Sequence, residues 1–135
     1  MSTFVDSNIF IYADDDGDAK KQRVAAFTLD GLIQRSEVVI STQVLQEYFS
    51  SAIRKLRFSA EKARERVVVM SMLPMVQVDP EMVLAAIDLH RLRKLSMWDA
   101  LIVRAAIAGG CTRLLTEDLN HGESFDSVKV ENPFR

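Results

Sequence analysis

Four acidic side chains, Asp6, Glu47, Asp99 and Asp118, stand where a carboxylate could do chemistry. Asp6 closes a short apolar run, Phe4-Val5, and Ser7-Asn8 then leads into a second apolar run from Ile9 to Ala13. A strand that stops on a carboxylate and turns at once into a helix presents that carboxylate at the strand's carboxyl end, where open α/β sheets keep their ligand crevice. A carboxylate in so apolar an opening is expensive unless a metal or a hydrogen-bonded turn satisfies it. Gathered together without cysteine or paired histidine, such acids suit a hard divalent cation, Mg2+ or Mn2+. Ions of that kind are the usual agents of phosphodiester cleavage, where they neutralise the scissile phosphate and generate the attacking hydroxide.

The elements that must position these acids alternate between strand and helix. After the opening strand, Asp14 to Asp18 reads as an acidic loop and Ala19 to Gln34 as an amphipathic helix, followed by a strand at Glu37-Val-Val-Ile40. Ser41 or Thr42 caps a helix to about Arg57, whose apolar positions Leu45, Phe49, Ala52, Ile53 and Leu56 fall at helical spacing. Ser59 opens another helix, ended by Pro74, and Met75-Val-Gln-Val78 is the third strand. Asp79-Pro80 is a strong helix start for a segment reaching Lys94. Ser96 to Ala108 is a nearly all-apolar helix that Gly109-Gly110 stops, before a fourth strand at Arg113-Leu-Leu-Thr116, a polar loop, and a last strand at Ser127-Val-Lys-Val130. This alternation predicts one α/β domain over residues 1–135, a mostly parallel sheet covered on both faces.

In such a sheet Asp6 and Asp118, each just past a strand, share the carboxyl edge. The tight Gly-Gly connection puts the C-terminus of the Asp99 helix at the opposite edge, so its first turn, with Asp99, returns to the same rim. Glu47 lies early in the helix leaving the second strand, near that rim as well. Each acid also has a plainer reading. Ser96-x-x-Asp99 has the spacing of a capping box, and an acid there suits the helix dipole. Glu47 lies opposite the Leu45-Phe49-Ile53 stripe on a helical wheel, which points it to solvent. Asp118 and its neighbour Glu117 could both be loop acids.

Composition narrows the classes. The 135 residues are 48% apolar and 27% charged, with few glycines and prolines, which is the profile of one globular domain. A single cysteine, Cys111, excludes an intrachain disulfide and a cysteine metal cluster. With no basic flank or long apolar stretch near the start, neither a secretory signal nor a membrane span is expected, and a cytoplasmic protein is the default expectation. The net charge of −2 is unevenly spread. Arg54, Lys55, Arg57, Lys62, Arg64 and Arg66 form a basic shoulder that is either a solvated helix face or a polyanion site. Trp98, beside an apolar helix, reads as core rather than as a base-stacking residue, His90 and His121 are too isolated for a metal site, and the methionines read as packing.

The segments Phe4-Val-Asp-Ser-Asn-Ile-Phe-Ile-Tyr-Ala13, the isolated Glu47, Trp98-Asp-Ala-Leu-Ile102 and Leu114-Leu-Thr-Glu-Asp-Leu119 together resemble the motifs of PIN-domain ribonucleases, and within them VapC-type toxins of type II toxin–antitoxin pairs. The resemblance spans nearly the whole chain. It implies a three-layer α/β/α sandwich and a Mg2+- or Mn2+-dependent endoribonuclease. Asp6, Glu47, Asp99 and Asp118 would then be the catalytic quartet, Asp6, Asp99 and Asp118 the metal holders, and Ser7, Asn8, Thr116 and Glu117 their supports. Here the resemblance and the helical wheel disagree over Glu47. Ser7 stands where many members carry Thr, which keeps the hydroxyl. The implied partners are a small antitoxin, an RNA substrate touched by Arg54, Lys55, Arg57 and Lys62, and a second copy of the chain, with DNA reached only through the antitoxin. Two rivals are weaker. A phosphatase of the haloacid dehalogenase type needs a second acid two residues after the first, and Asn8 occupies that position; a non-catalytic PIN-like binding module would not need four intact acids.

Overall fold

The computed structural model describes residues 1–135 as a three-layer α/β/α sandwich around one six-stranded sheet in the order β3-β2-β1-β4-β6-β5. The strands are β1 (Thr3–Val5), β2 (Val38–Ser41), β3 (Met75–Val76), β4 (Arg113–Leu115), β5 (Ser124–Phe125) and β6 (Val128–Glu131). All neighbours are parallel except the β5–β6 pair, which forms an antiparallel edge. The sequence pattern did not signal β5, because two residues carry no period. The central strands β1 and β2 are buried along their whole length, as expected of a sheet covered on both faces.

The helices are α1 (Ser7–Ala13), α2 (Ala19–Gln34), α3 (Thr42–Arg54), α4 (Ala60–Met70), α5 (Pro80–Arg93) and α6 (Met97–Ala108). Their starts follow the chemistry of their caps. Asp18, Ser41, Ser59, Asp79 and Ser96 each accept a hydrogen bond from a backbone N–H in the first turn that follows. α1 to α4 pack against one another, and α5 packs on α6. At the end of α6 the two glycines do different work. A Cβ on Gly109 would approach Val76 Cγ2 at 3.1 Å and Val39 Cγ1 at 3.2 Å, while Gly110 takes a left-handed φ of +69°.

Two expectations are corrected by packing. α3 ends at Arg54 rather than Arg57, and Arg57 itself adopts a left-handed φ of +61°. Its buried stripe is Val44, Tyr48 and Ala52, with Gln43 beside it, whereas Phe49 and Ile53 are 36% and 38% exposed. Tyr48 enters the core because its hydroxyl has a partner, donating to Asp14 Oδ2 at 2.6 Å. Arg66 of α4 grips the same carboxylate at 2.7 Å, tying α4 to the end of α1.

The position of the sheet's switch point decides where a ligand can sit. From β1 the chain order runs outward through β2 and β3 on one side and begins again at β4 on the other. Open α/β sheets bind ligands in the crevice outside such a reversal. Val5 pairs with Leu115 across it, so Asp6 and the Thr116–Asp118 segment leave the sheet side by side.

Candidate active site

Asp6 is 3% exposed and is the only buried carboxylate of the chain. Its backbone N–H donates to the Leu115 carbonyl at 3.0 Å, extending the β1–β4 ladder by one residue. Its Oδ1 accepts from the Ser7 N–H at 2.7 Å and its Oδ2 from Thr116 Oγ1 at 2.8 Å. Burial nevertheless dominates. Despite those two donors, desolvation, reinforced by the charges of Glu47 and Asp118, pushes the Asp6 carboxyl up to about 7.

Asp118 is bound into the same network from the other strand. Asn8 Nδ2 donates to Asp118 Oδ2 at 3.2 Å and to Thr116 Oγ1 at 3.3 Å, and the Asp118 N–H donates to Thr116 Oγ1 at 3.1 Å. Thr116 is therefore the junction of this half of the site. Asn8 Oδ1 is buried with no donor in the chain.

Glu47 faces this rim, not solvent. Its row on α3 adjoins the buried Val44-Tyr48-Ala52 stripe, which places the carboxylate half-buried with Ser7 Oγ donating to Oε1 at 3.3 Å and Gln43 Nε2 to Oε2 at 3.2 Å. The same Gln43 nitrogen donates to the Trp98 carbonyl at 3.1 Å, joining α3 to the first turn of α6. Asp99 follows in that turn, with its N–H capped by Ser96 Oγ at 3.0 Å, the Ser96 half of the capping box, while its own carboxylate makes no return bond to the Ser96 N–H. Both Glu47 and Asp99 are raised above the ordinary carboxylate range, chiefly by burial and secondarily by other acids of the group, Asp118 among them. The four acids thus share one electrostatic field. No three of them are placed to clamp an ion by direct contact.

Glu117 lines the same groove but is engaged by other partners. It accepts from the Tyr12 hydroxyl at 3.0 Å and pairs with Lys21 at 3.2 Å, and Lys21 lies over the rings of Tyr12 and Phe134 at 4.6 and 5.2 Å. Its neighbour Asp118 is left to face Asn8. Gln43 and Lys21 were not singled out from the sequence, although Gln43 at one helical turn before Glu47 carries the spacing that could have marked it.

A groove of about 450 Å3 opens beside the acids, lined by Ser7, Asn8, Glu47, Glu117 and Asp118 and, at the C-terminal end of the same helix as Glu47, by Arg54 and Lys55. The rest of the basic shoulder does not line it. Lys62 stacks on Phe58 at 4.1 Å, Arg66 is paired with Asp14, and Arg57 stands beyond the helix end. Trp98, expected in the core, is 65% exposed, because α6 is apolar on nearly every side and its pattern does not distinguish an inner face. Cys111 is buried and unpaired, with its thiol pushed up to about 11 by burial. No helix is long and apolar enough to cross a membrane.

The model of the PIN domain matches residues 3–128 of this chain. Among solved structures, a toxin–antitoxin complex from Klebsiella pneumoniae is similar with a TM-score of 0.72 and 20% identity, over 98% of this chain and 98% of that one. VapBC2 from Rickettsia felis, solved bound to a DNA fragment from their promoter, gives 0.69 and 17%, again over 98% of both chains. Mycobacterium tuberculosis VapC20, described as a sarcin-ricin loop cleaving toxin, gives 0.65 and 19%, over 84% of this chain and 87% of that one. At these identities the likeness is one of fold. No curated protein matches.

Proposed function

Since the chain belongs to the PIN-domain family, we propose that it is a divalent-metal-dependent endoribonuclease that acts as the toxin of a VapBC-type toxin–antitoxin pair. The observation that carries this reading is the convergence of Asp6, Glu47, Asp99 and Asp118, from four separate segments, on the switch point of the sheet. A shared field of unneutralised acids, one of them buried, is unfavourable in a protein that has no cation to receive.

The donor set suits Mg2+ or Mn2+. It is made of oxygens alone, and Mg2+ keeps several waters while taking one or two carboxylates, so a site without three direct acidic ligands is within its habit. Asn8 Oδ1, a buried acceptor that costs about 1–3 kcal/mol when left alone, is the kind of atom that a hydrated cation's waters satisfy. Asp6, Asp99 and Asp118 would hold the ion in part through its own waters, and the ion would supply charge neutralisation at the scissile phosphate and a more acidic water.

The chain's own groups do the remaining work. Thr116 and the Ser7 N–H orient Asp6, and Asn8 sets the angle of Asp118. Glu47, gripped at both oxygens by Ser7 and Gln43 and raised above the ordinary range, is suited to take the proton from the attacking water. Arg54 and Lys55, at the end of α3 in the same groove, draw the RNA backbone toward acids that would otherwise repel it. Glu117, engaged with Lys21 and Tyr12, supports the loop rather than the ion.

The solved relatives that are toxin–antitoxin complexes support a small antitoxin as partner, and the chain is read as a homodimer in the cytoplasm. An apolar cleft of about 350 Å3 between α2 and α4, floored by Phe10 and lined by Leu29, Ile33, Val69 and Leu73, could seat apolar residues of such an antitoxin. The test is induction in a bacterium that lacks the partner, beside Asp6→Asn and Asp99→Asn, with total RNA sequenced for new 5′ ends. Growth arrest with discrete new ends from the parent alone is expected. Neither arrest nor new ends, from a folded and soluble parent, would favour a non-catalytic binding module.

A further inference from the structure

Glu47 and Tyr48 are neighbours on α3, their side chains leave that helix about 100° apart, and each is caught by a different end of α1. Ser7, the first residue of α1, donates through Oγ to Glu47 Oε1 at 3.3 Å. Asp14, the residue that closes α1, accepts from the Tyr48 hydroxyl at 2.6 Å. The 7 residues of α1 separate the two holds by about 10 Å. One hold would leave α3 free to roll about its axis, whereas two holds that far apart fix both its roll and its slide along α1.

The second hold is the stronger. Tyr48 is the largest fully buried side chain of the protein, and burial together with the Asp14 carboxylate pushes its phenol upward, so it stays a donor. Arg66 takes the same carboxylate at both oxygens, Nη2 to Oδ1 at 2.7 Å and Nε to Oδ2 at 3.2 Å. A two-point guanidinium fixes the plane of a carboxylate, which a single ammonium does not. Asp14 is thereby aimed at Tyr48 by a residue of α4 that does not line the groove of the acids. Ser7 and Gln43, which hold Glu47 directly, are neutral and stand at 3.3 and 3.2 Å, so the charged link at Tyr48 is the stiffer restraint on this part of α3.

We infer that Tyr48, Asp14 and Arg66 are positioning residues for Glu47: the chain they form sets the roll of α3, and with it the place of the Glu47 carboxylate at the rim. The inference rests on the ribonuclease reading above, in which Glu47 takes the proton of the attacking water, and adds residues that act through α3 rather than on RNA or metal. It also takes Arg66 out of the basic shoulder.

The test is steady-state cleavage, in saturating Mg2+, of a labelled RNA oligonucleotide that spans the first new 5′ end found on induction. Tyr48→Phe keeps the buried ring and deletes only the hydroxyl. It should lower kcat about tenfold with KM little changed. Arg66→Ala should do the same without altering the dependence on salt, and Arg66→Lys, which keeps a charge beside Asp14, should recover part of the loss. Combining Tyr48→Phe with Arg66→Ala should cost no more than the worse of the two, because both break one chain. In a Glu47→Gln background, followed with enzyme in excess, Tyr48→Phe should cost less than about twofold, since the group it positions is gone. The rise in melting temperature with Mg2+ should persist in each single variant.

An equal loss from Tyr48→Phe in the Glu47→Gln background would make Tyr48 a general structural residue and overturn the inference. So would full kcat in folded Arg66→Ala, or a raised KM with a flatter salt slope, which would return Arg66 to the RNA-binding shoulder. Should Tyr48→Phe fail to fold, the two Arg66 variants decide, because Arg66 is exposed and its truncation empties no part of the core. An active parent with unaffected variants removes this inference alone, and a parent that cuts no RNA removes the ribonuclease reading with it.

Discussion

The two halves of the site are built differently. Asp6 and Asp118 leave adjacent strands and are tied by four hydrogen bonds through Thr116 and Asn8, so their geometry is set by the β1–β4 pairing itself. Glu47 and Asp99 ride on two helices from opposite faces of the sheet, and the side chain that links them is Gln43. In the strand half burial forces the Asp6 carboxyl up to about 7, while Asp118 is exposed. In the helix half both acids are half-buried, and Trp98 beside Asp99 is exposed. One half holds the buried acid, and the other holds the acid proposed as the base.

The largest effect should come from the strand half. Asp6→Asn should lower RNA cleavage by at least about a hundredfold, measured as initial rate on a labelled RNA. The same substitution should raise stability. A carboxyl whose folded pKa lies near 7 against 3.8 otherwise binds its proton more tightly in the folded state. Stability is therefore lost as pH rises from 3.8 to about 7 and stays lost above, an effect of order 4 kcal/mol in the absence of metal. Asp6→Asn escapes that loss, but Thr116 Oγ1 already accepts from Asn8 and Asp118 and is poorly placed to accept from the new amide as well. In EDTA the variant should melt above the parent at pH 8, with the gain shrinking as pH falls below about 7. A gain that grows toward acid pH would contradict the burial account.

Divalent metal should act through the same group. Mg2+ or Mn2+ should raise the melting temperature of the parent, with a half-maximal concentration that falls as pH rises through about 7, because the ion must displace the Asp6 proton. Asp6→Asn should lose most of that response.

Gln43→Ala tests the helix half. By releasing Glu47 Oε2 and the Trp98 carbonyl together it should cost about tenfold in cleavage, while leaving the metal-induced melting shift nearly intact. Loss of both would mean that the two halves are not separable. The smallest effects belong to the cations. Arg54→Ala and Lys55→Ala should each weaken RNA binding a few-fold and lower the log–log salt slope by about 0.7, whereas Arg57→Ala and Lys62→Ala should change neither.

Much of this comparison was legible in the residues. Caps at Ser59, Asp79-Pro80 and Ser96, the Gly109-Gly110 stop and the strand–helix alternation place α4, α5, α6 and the parallel sheet within a residue or a few of their observed bounds. Strand direction placed Asp6 and Asp118 on one rim and the Gly109-Gly110 connection brought Asp99 there, whereas for Glu47 the helical wheel pointed to solvent. What failed was the choice of face. On α3 the predicted stripe had Ala52 right, with Leu45 and Leu56 packed on the core, but Phe49 and Ile53 lie outward, and the Tyr48–Asp14–Arg66 linkage shows why Val44 and Tyr48 turn inward and bring Glu47 to the rim. On α6 an almost uniform apolar sequence has no pattern to lose, so the exposure of Trp98 was invisible. The basic shoulder looked continuous because sequence cannot show that Arg66 and Lys62 are already engaged.

The most direct test of the central claim, that these four acids form one metal-dependent cutting centre, is cleavage of a defined RNA by the purified chain in Mg2+, in EDTA, and with Asp6→Asn, Glu47→Gln, Asp99→Asn and Asp118→Asn. The account predicts discrete fragments from the parent in Mg2+, none in EDTA, and at least a hundredfold loss, roughly, in each of the four variants. Full cleavage in EDTA, or an undiminished rate in any folded variant of the four, would contradict it.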